Sequence, residues 1–214
     1  MSNRQRNVAI LVFDQVEVLD FAGPYEVFNV TAELNDPAPF NVYTIAESTA
    51  PIRTRGQLSV NPNYSIYQMP PAQILIVPGG FGSRALLHKP HFINWLRDQA
   101  EQVELLISIC TGALVLAKAG LLSGLTITTH HENLSELAPL VDSSSTITTD
   151  RQYFDNGKIL LAGGVSAGID LSLYVIRKLL GDMVLSKTLN EMEYAWSESA
   201  QLQWPEAVAR FKNL

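Results

Sequence analysis

The chain has 214 residues, 15 basic against 21 acidic side chains and a formal net charge of −6. That length suits one domain able to bury roughly 70% of its unfolded surface, and 47% hydrophobic with 17% charged residues excludes a disordered chain. The acidic balance offers no electrostatic footprint for nucleic acid or an anionic membrane, and no apolar run approaches the ~18 residues of a membrane span. Cys110 is the only cysteine, so there is no internal disulfide, and a reducing compartment fits. Arg4 and Arg6 precede the apolar run Val8 to Phe13. That run is too short for a signal peptide and has no small-residue cleavage site. A cytoplasmic location is the expectation.

Val8 to Phe13 predicts a central strand, with Asp14 to Gly23 a loop at its carboxyl end. Pro24 then opens a helix whose Val27, Phe28, Thr31 and Leu34 share a face. Asn35 to Pro39 breaks the chain. Phe40 to Ile45 reads as a strand, Ile52 to Val60 as a hairpin around Gly56, and Tyr64 to Met69 stays unassigned. Ile74 to Val77 is a short apolar strand running straight into Pro78-Gly79-Gly80-Phe81-Gly82, and a helix follows from about Pro90 to Glu101. Leu105 to Ile109 predicts a strand buried on both faces, followed by a tight turn at Cys110 and a helix from Ala113 to Leu122. Leu125 to Thr129 reads as a strand ending at His130-His131, and Glu132 to Ala138 as a short helix. Asp150 to Ala162 is a hairpin turning at Asp155-Asn156-Gly157. Gly163 to Ser166 opens a helix with Ile169, Leu173, Ile176 and Leu180 at core spacing; more helix runs to about Trp196, and a short one follows Pro205. Strands alternating with helices predict a parallel, doubly wound α/β sheet, whose ligands bind beyond the carboxyl ends of the strands. Asp14 to Gly23, Gly79 to Gly82 and Cys110 to Gly112 fall at such ends.

Cys110 sits where a nucleophile elbow would place it, at a helix N-terminus whose free N–H groups favour a thiolate; the alternative is an inert core cysteine. The Gly79-Gly80-Phe81-Gly82 turn matches neither a dinucleotide fingerprint nor a phosphate loop. A double glycine there can aim backbone N–H groups into a pocket as an oxyanion hole, or it can be a tight turn with no ligand. Asp20 stands among Val18, Leu19, Phe21 and Ala22. Desolvation there would raise its pKa and make it a candidate acid/base partner for the thiol. His130 is a candidate polar neighbour of Cys110. As adjacent strand residues, His130 and His131 would point to opposite faces, and His88 and His91 flank Pro90, so no metal site is expected.

Five stretches in order, Val12 to Pro24, Pro78 to Gly82, Ile109 to Ala113, Thr128 to His130 and Ala162 to Asp170, together resemble the ThiJ/PfpI family of the class I glutamine-amidotransferase-like superfamily. The resemblance runs from Val8 to about Tyr194. It implies a flavodoxin-like three-layer sandwich with a mostly parallel central sheet, one domain over residues 1–214, and a homodimer. It also implies Cys110 as nucleophile, Asp20 as the acidic residue beside its sulfur and Thr111 as the residue after it. Gly79, Gly80, Phe81 and His130 would line the substrate or oxyanion site, without metal or organic cofactor. Within the family the chain resembles the isonitrile hydratase branch and the related sensor domains of AraC-type regulators. The hydratase branch implies addition of water to an isonitrile, with a small molecule as the only partner. The alternatives are a ligand- or redox-sensing domain built on a low-pKa thiol, and glyoxalase-type hydration of 2-oxoaldehydes. The intracellular-protease branch places His directly after the nucleophile; Thr111 here argues against peptidase chemistry. Too few residues follow the last sandwich helix for a helix-turn-helix domain, so direct contact with DNA is not expected, and the final fifteen or so residues are unassigned.

Overall fold

A computed structural model describes residues 5–196. In chain order the elements are β1 (Arg6–Leu11), α1 (Val18–Glu33), β2 (Phe40–Ala46), β3 (Ile52–Arg53), β4 (Ser59–Val60), β5 (Tyr64–Ser65), β6 (Ile74–Val77), α2 (Ser83–Leu86), α3 (Pro90–Gln102), β7 (Leu105–Ile109), α4 (Gly112–Lys118), β8 (Thr126–Ile127), α5 (Leu134–Leu137), β9 (Thr146–Ile147), β10 (Tyr153–Asp155), β11 (Ile159–Ala162), α6 (Ala167–Leu180) and α7 (Asp182–Glu191). Short 3-10 turns at His131–Asn133 and Ala138–Leu140 flank α5.

The central sheet runs β10-β11-β7-β6-β1-β2-β5. All its neighbours are parallel except β10, which pairs antiparallel with β11 as the hairpin predicts. β6 and β7 are buried along their whole length, as continuous apolar runs covered on both faces should be. α1, α6 and α7 pack together, while α4 packs against α2 and α3, giving the layers of a doubly wound sandwich. Ala9, Ile10, Ile76, Leu106 and Leu171 in this core are fully buried. Parallel strands bring the carboxyl ends of β1, β6 and β7 to one edge, and the three loops there are stitched together. Glu17 N–H donates to Gly79 O (2.9 Å) and Gly82 N–H to Gln15 O (3.3 Å).

Several boundaries differ from expectation. α1 begins at Val18, not Pro24, and Pro24 lies inside it. Its ring forfeits the bond back to the Asp20 carbonyl, but burial of Phe21, Val27 and Phe28 along this segment holds the helix together, and Asp20 thereby sits in its first turn. The stretch Leu125 to Thr129 does not enter the central sheet. Both flanks of β7 are taken by β6 and β11, so only β8 forms, pairing with β9 in a separate two-stranded sheet. The helix after Cys110 stops at Lys118, just before Gly120 at φ 73°. The long C-terminal helix is two, parted by Gly181 at φ 86°. The unassigned Tyr64 stretch supplies β5 at the sheet edge. The helix expected after Pro205 lies outside the described residues. Among the described residues no helix is long and apolar enough to cross a membrane.

α4 starts against the end of β6: a Cβ on Gly112 would sit 2.1 Å from Val77 O. Gly112→Ala is therefore expected to cost about 1–3 kcal/mol through backbone displacement, read as a lower urea midpoint. An unchanged midpoint would contradict this close packing.

Candidate active site

Cys110 ends β7 with φ at 55°, a conformation that costs a non-glycine residue roughly 1–2 kcal/mol. Hydrogen bonds on both sides hold it there. Its N–H lies 3.0 Å from Ala162 O and 2.8 Å from Gly163 O, and its carbonyl accepts from Thr129 Oγ1 at 2.8 Å. The glycine turn after β6 presses directly on this corner. A Cβ on Gly79 would lie 2.5 Å from Thr111 N and 2.9 Å from Cys110 Cβ, so only glycine lets the two turns meet.

Asp20 reaches the same corner from α1. Its side chain is fully buried. Oδ2 accepts from Gly79 N–H at 2.9 Å, and Oδ1 has no hydrogen-bond partner among the described residues. Burial pushes its pKa from 3.8 to about 7, with the charge of Glu17 adding to the rise and the bonds from Gly79 and Cys110 opposing it. The neighbouring Cys110 thiol is pushed up to about 12, first by burial and then by the Asp20 charge, against the pull of the Thr111 N–H and hydroxyl. The effect is one-sided: the Asp20 charge raises the thiol, while the Cys110 bond favours the ionised carboxylate. The low-pKa thiol expected from the helix N-terminus is not what the geometry provides. α4 has only seven residues, and burial beside a carboxylate outweighs its few free N–H groups. Below about pH 7 both groups keep their protons; above it Asp20 is ionised beside a Cys110 that is still a thiol, so near neutral pH a thiolate forms only by passing its proton to Asp20.

Thr111 Oγ1 accepts from Gly80 N–H at 2.9 Å, lies 3.2 Å from Gly80 O and 3.1 Å from the hydroxyl of Ser83. Both glycine N–H groups expected to face the pocket are thus turned inward, Gly79 to Asp20 and Gly80 to Thr111. The turn folds back onto α1 and the elbow instead of opening a ready oxyanion hole.

The sulfur faces a cleft of about 130 Å³, walled by Gly80, Phe81, Thr111, His130, Val165 and the charged side chains Glu17, Arg55 and Arg84. Asp20 is not on that wall; it is buried behind it. Phe81 is exposed and carries the Arg55 guanidinium 4.3 Å over its ring, while Arg55 Nη1 bonds Glu17 at 2.9 Å. Arg84 bonds Glu136 through Nη2 (2.7 Å) and Nε (3.0 Å). His130 Nδ1 accepts from Glu132 N–H at 3.3 Å. Burial, then the neighbouring His131, lowers its pKa and favours the neutral ring. His130 and His131 do not point to opposite faces: their rings stack at 4.4 Å, because they leave β8 for a turn before their side chains can alternate. Among the described residues no group of three His, Cys, Asp or Glu is arranged to hold a metal. Sequence reasoning missed Ser83, Arg55 and Arg84. Ser83 sits one residue beyond the glycine turn, which was the available signal. Nothing in local pattern marks the two arginines, which arrive from the β3–β4 hairpin and α2.

A cysteine elbow backed by a buried acid at the carboxyl edge of a doubly wound sheet is a nucleophile-type site. The chain belongs to the DJ-1/PfpI family, whose model matches residues 6–178. It is 32% identical over 191 residues to an isonitrile hydratase of Pseudomonas putida, covering 88% of this chain and 78% of that one. It is 26% identical over 190 residues to the HTH-type transcriptional regulator GbdR of Pseudomonas aeruginosa, where the match covers 87% of this chain and half of the regulator's length. Among solved structures, a ThiJ/PfpI family protein from Pseudomonas syringae superposes with a TM-score of 0.80 at 24% identity, over 91% of this chain and 77% of that one. Drosophila melanogaster DJ-1beta superposes at 0.78 and 18%, over 90% of this chain and 100% of that one. These structures share the fold.

The raised Asp20 pKa has a defined stability signature. Between about 4 and 7 the folded protein keeps a proton that the unfolded chain has lost, so this contribution is full at low pH and falls as pH rises to about 7. At 1.36 kcal/mol per pKa unit the fall is on the order of 4 kcal/mol. Asp20→Asn removes it. The variant is therefore expected to gain several kcal/mol over wild type in urea unfolding at pH 8, with the difference vanishing near pH 4. A difference independent of pH would place the Asp20 pKa in the ordinary range.

Proposed function

We propose that this protein hydrates isonitriles, R–N≡C, to N-substituted formamides. The carrying observation is the Cys110 thiol buried beside Asp20, a carboxyl raised to about 7, in a chain 32% identical to an isonitrile hydratase. The terminal carbon of an isonitrile takes a nucleophile and a proton at the same atom. That demand matches a thiol and an acid side by side. The Asp20 carboxylate takes the thiol proton as the Cys110 sulfur bonds the terminal carbon and delivers that proton to the same carbon, giving the thioimidate R–N=CH–S–Cys. Asp20, now a carboxylate, takes a proton from a water as its oxygen bonds the same carbon, and the imine nitrogen gains that proton. The resulting R–NH–CH(OH)–S–Cys collapses: the C–S bond breaks, the hydroxyl proton passes through Asp20 to the departing sulfur, and R–NH–CHO leaves. Atoms balance as isonitrile plus water, and the residues return to their starting state. Thr111, whose N–H and hydroxyl favour the charged sulfur, stabilises the thiolate at attack and at departure. Burial of Asp20 sets its pKa near neutrality, where an acid that must also act as a base works best. In this reading Phe81 and His130 shape the cleft around R, the partner is a small molecule, and the active form is a homodimer in the cytoplasm.

A second reading rests on the regulator relative. The raised thiol pKa makes the resting sulfur sluggish, and a domain that binds a small molecule without turnover would tolerate that. Turnover separates the two readings. Purified protein is expected to form formamides from a panel of alkyl and aryl isonitriles, with Cys110→Ala losing all activity and Asp20→Asn losing at least ~10³-fold in kcat/KM. Binding of isonitriles with no product from any of them would reject the hydratase in favour of the sensor; lactate from methylglyoxal in their place would assign 2-oxoaldehyde hydration.

A further inference from the structure

A second cavity lies beside the Cys110 cleft, parted from it by the turn before α6. Val165 lines the cleft, while Gly164 and Ser166 on either side of it line a cavity of about 20 Å³ that also meets Thr128, Arg151 and Gln152. The two spaces share no wall residue. A water needs roughly 10–15 Å³ of such room, so this cavity admits one small molecule or the head of a larger one.

The polar groups around it are donors that lack acceptors. Gly164 and Ser166 stand immediately before α6, a helix of 14 residues whose N-cap, Ser166, supplies no side-chain cap. Their N–H groups donate to nothing among the described residues, and the positive end of the helix dipole lies with them. Arg151 makes no hydrogen bond or ion pair among the described residues, so its guanidinium fork is open. Thr128 is 1% exposed. The acceptor its hydroxyl finds in the protein is Thr129 O at 3.5 Å, well beyond the ~2.5–3.0 Å of an O–H···O bond. Gln152 Oε1 is buried and has no partner. A half-turn of that amide, whose two ends have the same shape, presents Nε2 and makes it a further donor. No carboxylate stands on the wall among the described residues; its titratable members are Arg151 and His131. A water brings two lone pairs to this set. An oxyanion brings more acceptor sites, together with the negative charge that Arg151 and the helix end favour.

We propose that this cavity is an oxyanion site, in which a phosphate or carboxylate head is held by the N–H groups before α6, the Thr128 hydroxyl and the Arg151 guanidinium. Thr129 and Gly163 lie on the same wall. Thr129 Oγ1 donates to the Cys110 carbonyl at 2.8 Å, and Gly163 O accepts the Cys110 N–H at 2.8 Å. The anion thus sits against the backbone supports of the nucleophile without entering its cleft. The site does not depend on which electrophile the protein takes.

Calorimetric titration of the full chain at pH 7 with inorganic phosphate, and separately with formate, tests the site, with chloride at matched ionic strength as the blank. At least one of the two oxyanions is expected to bind saturably at one per chain. Phosphate alone would define a tetrahedral head and formate alone a carboxylate; either upholds the site. Arg151→Gln, at an exposed position, is expected to weaken that binding about tenfold or more, and Thr128→Val, which keeps the shape and removes the hydroxyl, by a similar factor. Arg55→Gln, which removes a cation from the Cys110 cleft instead, is expected to leave the affinity as in wild type. Unchanged urea midpoints show that the variants are folded. No saturable binding of either oxyanion would mean that the cavity holds water only and overturns the proposal. So does wild-type affinity in both Arg151→Gln and Thr128→Val, or a loss in Arg55→Gln as large as theirs, which would move the anion to the cleft.

Discussion

A carboxyl and a thiol buried against each other form the constraint around which this molecule is arranged. Neither group is in its ordinary state: burial raises both, and the Asp20 charge further opposes ionisation of the thiol. Such a pair costs stability and survives because the fold surrounds it on every side. β7 supplies the sulfur through a strained corner, α1 the carboxyl from its first turn, and the glycine turn after β6 the N–H that holds Asp20. These elements are far apart in the chain, and only a parallel sheet brings their ends to one edge. The glycines at 79 and 112 are where that convergence becomes tightest, with a Cβ position 2.5 Å from Thr111 N in one case and 2.1 Å from Val77 O in the other.

This arrangement separates proton from access. Asp20 lies off the cleft wall, so the cleft reaches Cys110 and leaves the carboxyl buried. Of the charged groups on the wall, Arg55 pairs with Glu17 and Arg84 with Glu136 just outside it, and Glu132 adds a further carboxylate. The cleft therefore presents a shape edged by Phe81 and His130 more than a strong field of one sign. The family contains proteins named as enzymes and proteins named as regulators, and a thiol whose charge depends on a neighbouring acid is a plausible starting point for either use. A ligand that changes the protonation of Asp20 also changes the reactivity of the sulfur.

Much of the fold was legible because its signals are local. The apolar runs at β1, β6 and β7, the Asp155-Asn156-Gly157 turn and the strand–turn–helix at Cys110 each declare themselves within a few residues. What failed depended on tertiary competition. Leu125 to Thr129 has strand composition, but the flank of β7 it would have needed is occupied by β11. Pro24 read as a helix start because its ring removes one hydrogen bond; the burial of Phe21, Val27 and Phe28 that outweighs this loss is visible only in the packed structure. At the site, Cys110, Asp20 and Thr111 were found by motif and family resemblance, and the structure brings them together. The inward turn of the Gly79 and Gly80 N–H groups was not legible, since a double glycine permits either direction. Nor was the high thiol pKa: a helix N-terminus argues for a thiolate, and only the depth of burial and the position of Asp20 reverse that argument.

The central claim is that Asp20 loses its proton only near neutral pH while Cys110 beside it keeps its own, and infrared difference titration with isotope-labelled aspartate tests it most directly. The account predicts a protonated-carboxyl C=O band assigned to Asp20, through its loss in Asp20→Asn, that disappears with a midpoint near pH 7, while the S–H stretch of Cys110 persists above that midpoint. An Asp20 carboxylate fully ionised at pH 5, or a Cys110 thiolate standing beside it at pH 8, would contradict it.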